Sequence, residues 1–281
     1  MVRRTGRLFG LILGEWLLQA EARLAGAGVE ESRIEARLLA AHVLGRTKAW
    51  VLSHREESVD PSILEPWIAR RERREPLAHL TGEREFYGRP FRVTADTLVP
   101  RPDTETLVEL ALELAPREAS ILDVGTGTGC IGITLALERP DLRVTLLDVS
   151  PEALAVARDN AETLKAGVKL VKSDLYAGVL DESYDLVVSN PPYIRRQEPL
   201  MPEVVSYEPH LALFAGEDGL DFYRRLASET SERLEPDGLL SVEIGYDQAD
   251  SVPALFLEAG WKLVERRADL AGIVRALAFQ Q

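Results

Sequence analysis

Apolar residues recur in two different rhythms along the chain, and the rhythm changes near residue 80. Before that point they return every three or four positions, as in the segments that begin at Ser32 and Pro61, and this spacing is typical of amphipathic helices. From residue 119 onward, short runs rich in β-branched residues alternate with helical patterns, which is typical of a mainly parallel sheet flanked by helices. The pattern therefore predicts a small helical domain at 1–80 followed by an α/β domain.

The α/β part contains enough strand patterns for a seven-stranded sheet. Strands are predicted at 119–124, 143–148, 169–172, 184–189, 238–244, 261–267 and 273–279. Helices are predicted at 105–114, 131–138, 151–165, 219–234 and 249–259. The last two strands follow each other with a short connection, which favours one antiparallel pair at an edge of the sheet.

Residues 81–103 differ from both neighbouring parts. Phe86, Tyr87 and Phe91 surround a Gly-Arg-Pro sequence, and aromatic residues around such a turn predict a β-hairpin. We therefore expect a hairpin linker at 81–103 between the helical domain and a domain at 104–281.

Composition limits the kind of protein this is. The 281 residues are 46% hydrophobic and 28% charged, as in a soluble globular protein. Three arginines precede an apolar run at the start, but Glu15 interrupts that run early, so we expect a helix of the mature protein rather than a signal peptide. No stretch reaches the ~18 apolar residues that a membrane span requires, and we expect no membrane partner.

Cysteine and histidine usage predicts a cytoplasmic protein without a metal. Cys130 is the single cysteine, so there is no internal disulfide and no cysteine cluster for zinc. Four histidines are scattered without the spacing of metal ligands.

Net charge argues against a sequence-tolerant nucleic-acid binder. The chain carries −13, and this charge is uneven: residues 1–80 carry +2 and the remainder carries −15. Since nucleic-acid binders show the opposite balance, we expect a small molecule or a basic protein as partner and no direct nucleic-acid contact.

A glycine-rich loop lies between the first predicted strand and its helix. It reads Asp123-Val124-Gly125-Thr126-Gly127-Thr128-Gly129. Asp148 ends the next predicted strand, where a carboxylate can bind ribose hydroxyls, and Asp174 follows the third. Together these features predict a nucleoside site.

A nicotinamide dinucleotide is one candidate for this site, but its Gly-x-Gly-x-x-Gly spacing is one residue longer. Asp123 would also oppose a pyrophosphate and attract an ammonium and a sulfonium, which favours S-adenosylmethionine.

A second motif follows the apolar run at 184–189. It reads Asn190-Pro191-Pro192-Tyr193. The prolines end the strand and hold the backbone extended, so Asn190 and the neighbouring carbonyl oxygens form a rigid shelf of acceptors. Two acceptors on such a shelf can hold a planar NH2 group.

Both motifs, in this order, resemble class I S-adenosylmethionine-dependent methyltransferases that act on planar nitrogens. The stretches 80–88 and 98–105, with the helical segment before them, are more specific: they are similar to the HemK/PrmC family, the glutamine-N5 methyltransferases of class 1 peptide chain release factors. The similarity runs from about residue 10 to the end. The resemblance implies a Rossmann-like domain whose seven-stranded sheet has one antiparallel edge strand, preceded by a helical domain that binds the release factor.

The resemblance also implies roles for individual residues. Cofactor-binding residues would be Asp123, Gly125, Thr126, Gly127, Thr128, Gly129, Asp148, Asp174, Leu175 and Asn190. Asn190, Pro191, Pro192 and Tyr193 would hold the glutamine of a Gly-Gly-Gln loop and act in catalysis. The family often has an aromatic residue after the third acid, whereas this chain has Leu175 followed by Tyr176. The identity of the adenine-stacking residue therefore stays open.

Some roles and functions remain alternatives. Tyr193 either packs on the amide of the substrate or braces the loop, and Arg101 and Glu105 either serve the site or pair with each other. Cys130 is expected to be a packing residue rather than a nucleophile. The same shelf would serve a nucleic-acid N-methyltransferase acting on adenine or guanine, and a non-catalytic cofactor-binding module is a third possibility.

Overall fold

The computed structural model describes residues 11–281 and divides into two units. The first holds the residues up to Gly82 together with Met201–Tyr207, and the second holds Glu83–Leu200 and Glu208–Gln281. The predicted start of the first helix within residues 1–10 lies outside the described part. The predicted boundaries left 201–207 in the second domain, because so short a segment carries no change of composition.

The first unit is built mainly from helices. These are α1 Leu13–Gly26, α2 Ser32–Leu44, α3 Lys48–Ser53, α4 Pro61–Glu72 and α5 Leu77–Thr81. The short strands β1 Leu11–Ile12 and β2 Ser58–Val59 pair antiparallel. Asp60 caps α4 by accepting a hydrogen bond from the Ser62 amide at 2.9 Å, and Gly45 ends α2 in the left-handed conformation.

Strands and helices alternate after residue 82. The strands are β3 Glu83–Phe86, β4 Arg89–Arg92, β5 Ser120–Val124, β6 Arg143–Asp148, β7 Val168–Lys172, β8 Tyr184–Ser189, β9 Leu234–Glu243, β10 Lys262–Ala268 and β11 Val274–Gln280. The helices are α6 Glu105–Leu114, α7 Cys130–Glu138, α8 Pro151–Leu164, α9 Pro202–Tyr207, α10 Asp221–Glu229 and α11 Ser251–Glu258. Short 3-10 helices lie at Pro102–Thr104, His210–Ala212 and Ser231–Arg233.

Seven of these strands form one sheet, in the order β10-β11-β9-β8-β5-β6-β7. The five strands from β9 to β7 are parallel, which confirms the predicted fold class. The antiparallel strand β11, however, lies between β9 and β10 rather than at the edge. The reason is burial: residues 276–279 of β11 are wholly buried, whereas β10 is largely exposed and charged, and charged residues suit an edge strand.

Helices cover both faces of the sheet. Neighbouring strand residues point to opposite faces, so Ile121 belongs to a core that includes residues of α6, α7 and α8, and Leu122 to one that includes residues of α10 and α11. Within residues 11–281, no helix combines the length and apolar content that a bilayer span requires.

The predicted hairpin forms from β3 and β4, and its side chains pack within the second unit. Phe86 and Phe91 are buried in the core that holds α6 to α8. The Arg92 amide donates to Asn160 Oδ1 at 2.7 Å, and Asn160 Nδ2 donates back to the Arg92 carbonyl at 3.0 Å. The hairpin is therefore anchored to α8.

Ion pairs explain why α9 belongs to the helical unit. Glu203 accepts hydrogen bonds from Arg71 at 3.1 Å and from Arg74 at 2.7 Å. Arg71 is only 4% exposed and also binds Glu35. Breaking a buried ion pair leaves an uncompensated charge, so Glu203 fixes this segment to α4 and the turn after it.

Candidate functional site

The parallel register places the two predicted motifs beside each other. Val124 at the end of β5 is opposite Leu147 of β6 on one side and Ser189 of β8 on the other. The loops that follow these strands therefore share one edge of the sheet, where a cavity of about 480 Å³ opens. Ten of the predicted site residues line it: Gly125, Thr126, Gly127, Thr128, Asp148, Asp174, Leu175, Asn190, Pro191 and Pro192.

The glycine loop is held by hydrogen bonds to the protein itself. The amides of Gly125 and Thr126 both donate to the Leu147 carbonyl at 3.0 Å, and the Gly129 amide donates to the Thr126 carbonyl at 2.8 Å. Gly127 has a φ of 55°, and a Cβ added to it would meet only open space. At Gly127 the loop thus presents backbone without a side chain to the cavity. Because these N–H groups are already engaged, the loop offers fewer donors to a phosphate than a loop whose amides all face the ligand.

Asp123 lies beneath this loop and does not line the cavity. Its carboxylate is fully buried and accepts hydrogen bonds from the Thr126 hydroxyl at 2.6 Å and the Gly132 amide at 3.0 Å. Burial raises its pKa to about 6. The expected contact between Asp123 and the cofactor is therefore replaced by support of the loop, and Gly129 likewise lies outside the cavity lining.

Gly132 supports the site by its lack of a side chain, which the loop motif did not indicate. A Cβ at this position would come within 2.1 Å of Leu146 Cδ2 and 3.1 Å of Asp123 Oδ2. Only glycine lets α7 approach the sheet this closely. Its signal in the sequence is weak, because Gly132 follows the loop motif inside an ordinary helical pattern.

Asp148 connects the glycine loop to the start of α8. Its Oδ2 accepts from the Gly127 amide at 2.9 Å and its Oδ1 from the Ser150 amide at 3.0 Å. Burial raises the pKa of this carboxyl. A carboxylate has about four lone-pair positions, so each oxygen can accept one further hydrogen bond from a ligand.

Asp174 and Leu175 form another wall of the cavity. Asp174 Oδ1 pairs with Arg225 Nη1 at 2.9 Å while the carboxylate remains largely exposed. Leu175 is buried, with a φ of 45°. Phe222 from α10 also lines the cavity and supplies an aromatic ring, which the sequence did not identify because α10 has no motif.

Asn190 and the two prolines form the shelf at the end of β8. Ser189 ties this strand end to β5, since its hydroxyl donates to the Val124 carbonyl at 2.8 Å. Asn190 Nδ2 donates to Thr104 Oγ1 at 3.3 Å. Because the NH2 group of Asn190 is engaged in this way, its side-chain oxygen remains available as an acceptor.

Tyr193 lies outside the cavity lining and packs in the core that holds α10 and α11. Its backbone carbonyl accepts from Gln248 Nε2 at 3.3 Å, and its ring lies 3.3 Å from the position of a Cβ on Gly245. Burial raises the pKa of its phenol. Of the two alternatives for Tyr193, these contacts favour bracing of the loop.

Arg101 and Glu105 do not pair with each other. Arg101 lines the cavity and binds the buried carboxylate of Glu208 at 2.5 Å, whereas Glu105 accepts from the Tyr87 amide at 2.8 Å. Cys130 also lines the cavity, and burial raises its pKa to about 12. A thiol with so high a pKa stays protonated and is a poor nucleophile.

Carboxylates outnumber cations around the cavity. The acids among the lining residues are Asp96, Asp148, Glu152 and Asp174. The lining arginines, Arg101 and Arg225, are both paired with carboxylates. Together with the buried acid beneath the loop, this excess creates a negative potential that favours a cationic ligand.

Comparison with known proteins identifies two family domains. Residues 102–206 match the methyltransferase small domain, and residues 15–82 match the PrmC N-terminal domain.

Similar curated proteins cover most of the chain. A release factor glutamine methyltransferase of Bordetella pertussis is 45% identical over 250 residues, which are 86% of this chain and 93% of that protein. One of Deinococcus radiodurans is 44% identical, covering 92% of this chain and 95% of that protein. Among solved structures, a methyltransferase from Pyrococcus furiosus is 20% identical with a TM-score of 0.52, covering 69% of this chain and 89% of that one, and this likeness shows the fold alone.

Proposed function

The chain belongs to the family of release factor glutamine methyltransferases, and on this premise we propose what it methylates and how. It transfers a methyl group from S-adenosylmethionine to the side-chain amide nitrogen (N5) of the glutamine in the Gly-Gly-Gln motif of class 1 peptide chain release factors, leaving S-adenosylhomocysteine. The observation that carries the proposal is that Asn190, Gly127 and Asp148 line one cavity. We place the activity in the cytoplasm, where translation takes place.

The cavity suits S-adenosylmethionine in size and charge. Its volume of about 480 Å³ lies within the roughly 300–1,000 Å³ of typical ligand pockets. The free acceptor positions of Asp148 match the ribose hydroxyls, and the wall of Asp174, Leu175 and Phe222 is placed to hold the adenine. The carboxylate excess favours a ligand that carries a sulfonium and an ammonium, and the engaged amides of the glycine loop disfavour a pyrophosphate.

The bound cofactor supplies an electrophilic methyl group on a positively charged sulfur, and the chain positions the nitrogen that receives it. An amide nitrogen is a poor nucleophile because its lone pair is delocalised into the carbonyl group. Asn190 Oδ1 and the Pro191 carbonyl can each accept one hydrogen of the glutamine NH2 group. Two such hydrogen bonds orient the nitrogen toward the methyl group, and orientation of this kind supplies a large part of catalysis.

The transfer does not require a strong base. Nitrogen becomes very acidic once it carries the methyl group, so Asn190 Oδ1, the Pro191 carbonyl or water can accept the departing proton. Cys130 is unsuited to this task because burial raises its pKa to about 12. The rigid backbone of the two prolines keeps both acceptors in place during the reaction.

We also propose that the helical unit binds the release factor. The support is that residues 15–82 match a domain named for this family. The acidic character of the rest of the chain, −15 outside residues 1–80, disfavours the alternative of a nucleic-acid N-methyltransferase, which needs a basic surface for phosphates.

A methylation assay with labelled cofactor tests the proposal. Purified wild-type enzyme is incubated with a class 1 release factor, with the same factor carrying Gly-Gly-Glu in place of Gly-Gly-Gln, and with DNA and RNA. We expect label in the unmodified factor only. Label in DNA or RNA instead would select the alternative function, and cofactor binding without any transfer would indicate a non-catalytic module.

A further inference from the structure

Glu243 is a buried carboxyl group that the proposed reaction does not yet use. It ends β9, is only 2% exposed, and its Oε2 has no hydrogen-bond partner within residues 11–281. Burial of a carboxyl group without full compensation costs free energy, so such a group in a native structure requires an explanation. Its position beside the end of β8 suggests one.

Thr104 connects Glu243 to the acceptor shelf. Its hydroxyl lies close to the Glu243 carboxyl, and the same hydroxyl oxygen accepts from Asn190 Nδ2 at 3.3 Å. The parallel register of β8 and β9, in which Ser189 is opposite Val242, places Glu243 beside Asn190. Thr104 is 2% exposed, so water does not compete freely for these bonds. The three side chains thus form a short buried chain that ends at the cavity.

Neighbouring charges also act on the Glu243 carboxyl, but the cations among them are already paired with other carboxylates. Arg275 binds Asp103 at 2.9 Å and Asp269 at 3.0 Å, while Arg101 binds Glu208. The charged and titratable groups that act on the Glu243 carboxyl or lie beside it are Arg101, Asp103, Cys130, Tyr193, Tyr223 and Arg275. Burial is the largest influence and raises the pKa of Glu243 to about 7.

The ionised carboxylate of Glu243 fixes the direction in which hydrogen atoms are donated along these three side chains. An ionised carboxylate only accepts, so the single hydroxyl hydrogen of Thr104 points to Glu243, and the Thr104 oxygen must accept from the NH2 group of Asn190. That leaves the Asn190 oxygen for the cavity. With the amide rotated by half a turn, Asn190 would present NH2 to the NH2 of the substrate, two donors facing each other.

We propose that Glu243, acting through Thr104, is a positioning residue that holds the side-chain oxygen of Asn190 toward the glutamine acceptor. This inference rests on the proposed function for its catalytic consequence. The hydrogen-bond chain itself consists of this protein's own residues and can be tested without turnover.

Protonation of Glu243 would remove the fixed direction. A protonated carboxyl group can donate to Thr104, whose hydrogen is then free to point toward Asn190 and favour the wrong rotamer. Since the carboxyl is ionised above its pKa, kcat should rise with pH between about 6 and 8 and then level off. Glu243→Gln should lose this dependence.

Kinetics of four variants test the catalytic consequence. Glu243→Gln and Thr104→Val each remove one link, and we expect kcat to fall about 10-fold, the effect of one hydrogen bond of about 1.4 kcal/mol, with unchanged cofactor affinity. Thr104→Ser keeps the hydroxyl and should stay within about twofold of wild type. Ser241→Ala, on the same strand and also buried without a partner, is the matched control and should have no effect.

Nuclear magnetic resonance tests the chain independently of activity. The sequence contains two asparagines, Asn160 and Asn190, so protein labelled with ¹⁵N-asparagine gives two side-chain NH2 pairs, which Asn190→Ala assigns. We expect the Asn190 pair to shift with pH around 7 in the wild type and in Ser241→Ala, and not in Glu243→Gln or Thr104→Val. The Asn160 pair, bound to the Arg92 and Thr128 carbonyls, should stay constant.

Three results would overturn the inference: wild-type kcat in Glu243→Gln, equal losses in Thr104→Ser and Thr104→Val, or an Asn190 titration that persists in Glu243→Gln. If the wild type methylates no release factor, the proposed function fails, whereas the titration still decides whether Glu243 orients Asn190. The two failures are therefore distinguishable.

Discussion

Two loops at the same edge of the sheet present different groups to the cavity. The glycine loop after β5 uses its amides internally and offers the cavity open space above a buried acid. The Asn-Pro-Pro shelf after β8 offers one side chain whose NH2 group is already bound to Thr104. In the proposed function, the first loop selects its ligand by shape and charge, and the second selects its ligand by the direction of hydrogen bonds.

In the proposed function, cofactor binding and methyl transfer therefore depend on separable parts of the chain. Changes at the glycine loop and Asp148 should alter cofactor affinity or stability, whereas changes at the shelf should alter kcat.

Replacement of Asn190 by alanine should have the largest effect on the reaction. The variant loses an acceptor for the glutamine NH2 group, so we expect kcat to fall by roughly 10²–10³-fold, as when one preorganised hydrogen-bonding group is removed from an active site. Cofactor affinity, measured by calorimetry, should change by less than about threefold. A large loss of cofactor affinity with normal kcat at saturation would mean that Asn190 serves the cofactor instead.

The acid beneath the glycine loop should affect stability more than binding. The pKa of Asp123 is about 6 in the folded protein, above its unfolded value, so its protonation favours folding. This contribution to the free energy of unfolding is fully present at low pH. It is lost as the pH rises from about 4 through 6, and the loss amounts to about 3 kcal/mol.

Asp123→Asn removes this dependence of stability on pH, so a comparison of the variant with the wild type measures it. By urea unfolding, the variant should be more stable than the wild type at pH 8, and the difference should shrink toward pH 4. Asp181→Asn, an exposed position with the same change of charge, is the control. A difference that does not vary with pH would show that the Asp123 carboxyl is already ionised in the folded state throughout this range.

Asp148→Ala should weaken cofactor binding without changing how the glutamine is held. Loss of a carboxylate that accepts two ligand hydroxyls should raise the cofactor Kd by about 10- to 100-fold. Calorimetric titration with S-adenosylhomocysteine measures this directly. As a control, Glu152→Gln neutralises another acid of the cavity lining, at an exposed position, and should change Kd only slightly. Equal losses of cofactor affinity in both variants would mean that Asp148 acts only through its negative charge.

Replacement of Cys130 by alanine should have the smallest effect. Burial keeps its thiol protonated, so the side chain only fills space. We expect activity within about twofold of wild type and no sensitivity to thiol reagents. Loss of activity at unchanged stability would assign this residue a chemical role.

Local patterns predicted most of the sheet and the two motifs, because each depends on neighbours in sequence. The bounds of β6, β8 and α6 match their predictions, and the glycines and prolines mark the loops by their own backbone limits. Helix α10 is shorter than the predicted 219–234, since a 3-10 turn follows it and β9 begins at Leu234 rather than 238.

Contacts between residues far apart in the sequence could not be predicted, because they leave no pattern among neighbouring positions. Arg101 meets Glu208, and Glu243 meets Thr104, across more than one hundred positions. The same holds for Glu203, which joins α9 to the helical unit. For Asp123 the motif predicted the position in the loop but not the burial of the carboxylate. The side chain is buried because β5 turns it into the protein.

Tandem mass spectrometry of the methylated product shows directly whether the enzyme modifies the glutamine of the Gly-Gly-Gln motif. A class 1 release factor is treated with the enzyme and S-adenosylmethionine, digested, and the peptide that contains Gly-Gly-Gln is fragmented. We expect one added methyl group on the glutamine side-chain nitrogen, absent when Asn190→Ala enzyme is used. A methyl group on any other residue, or an unmodified glutamine in a factor that has acquired label, would contradict it.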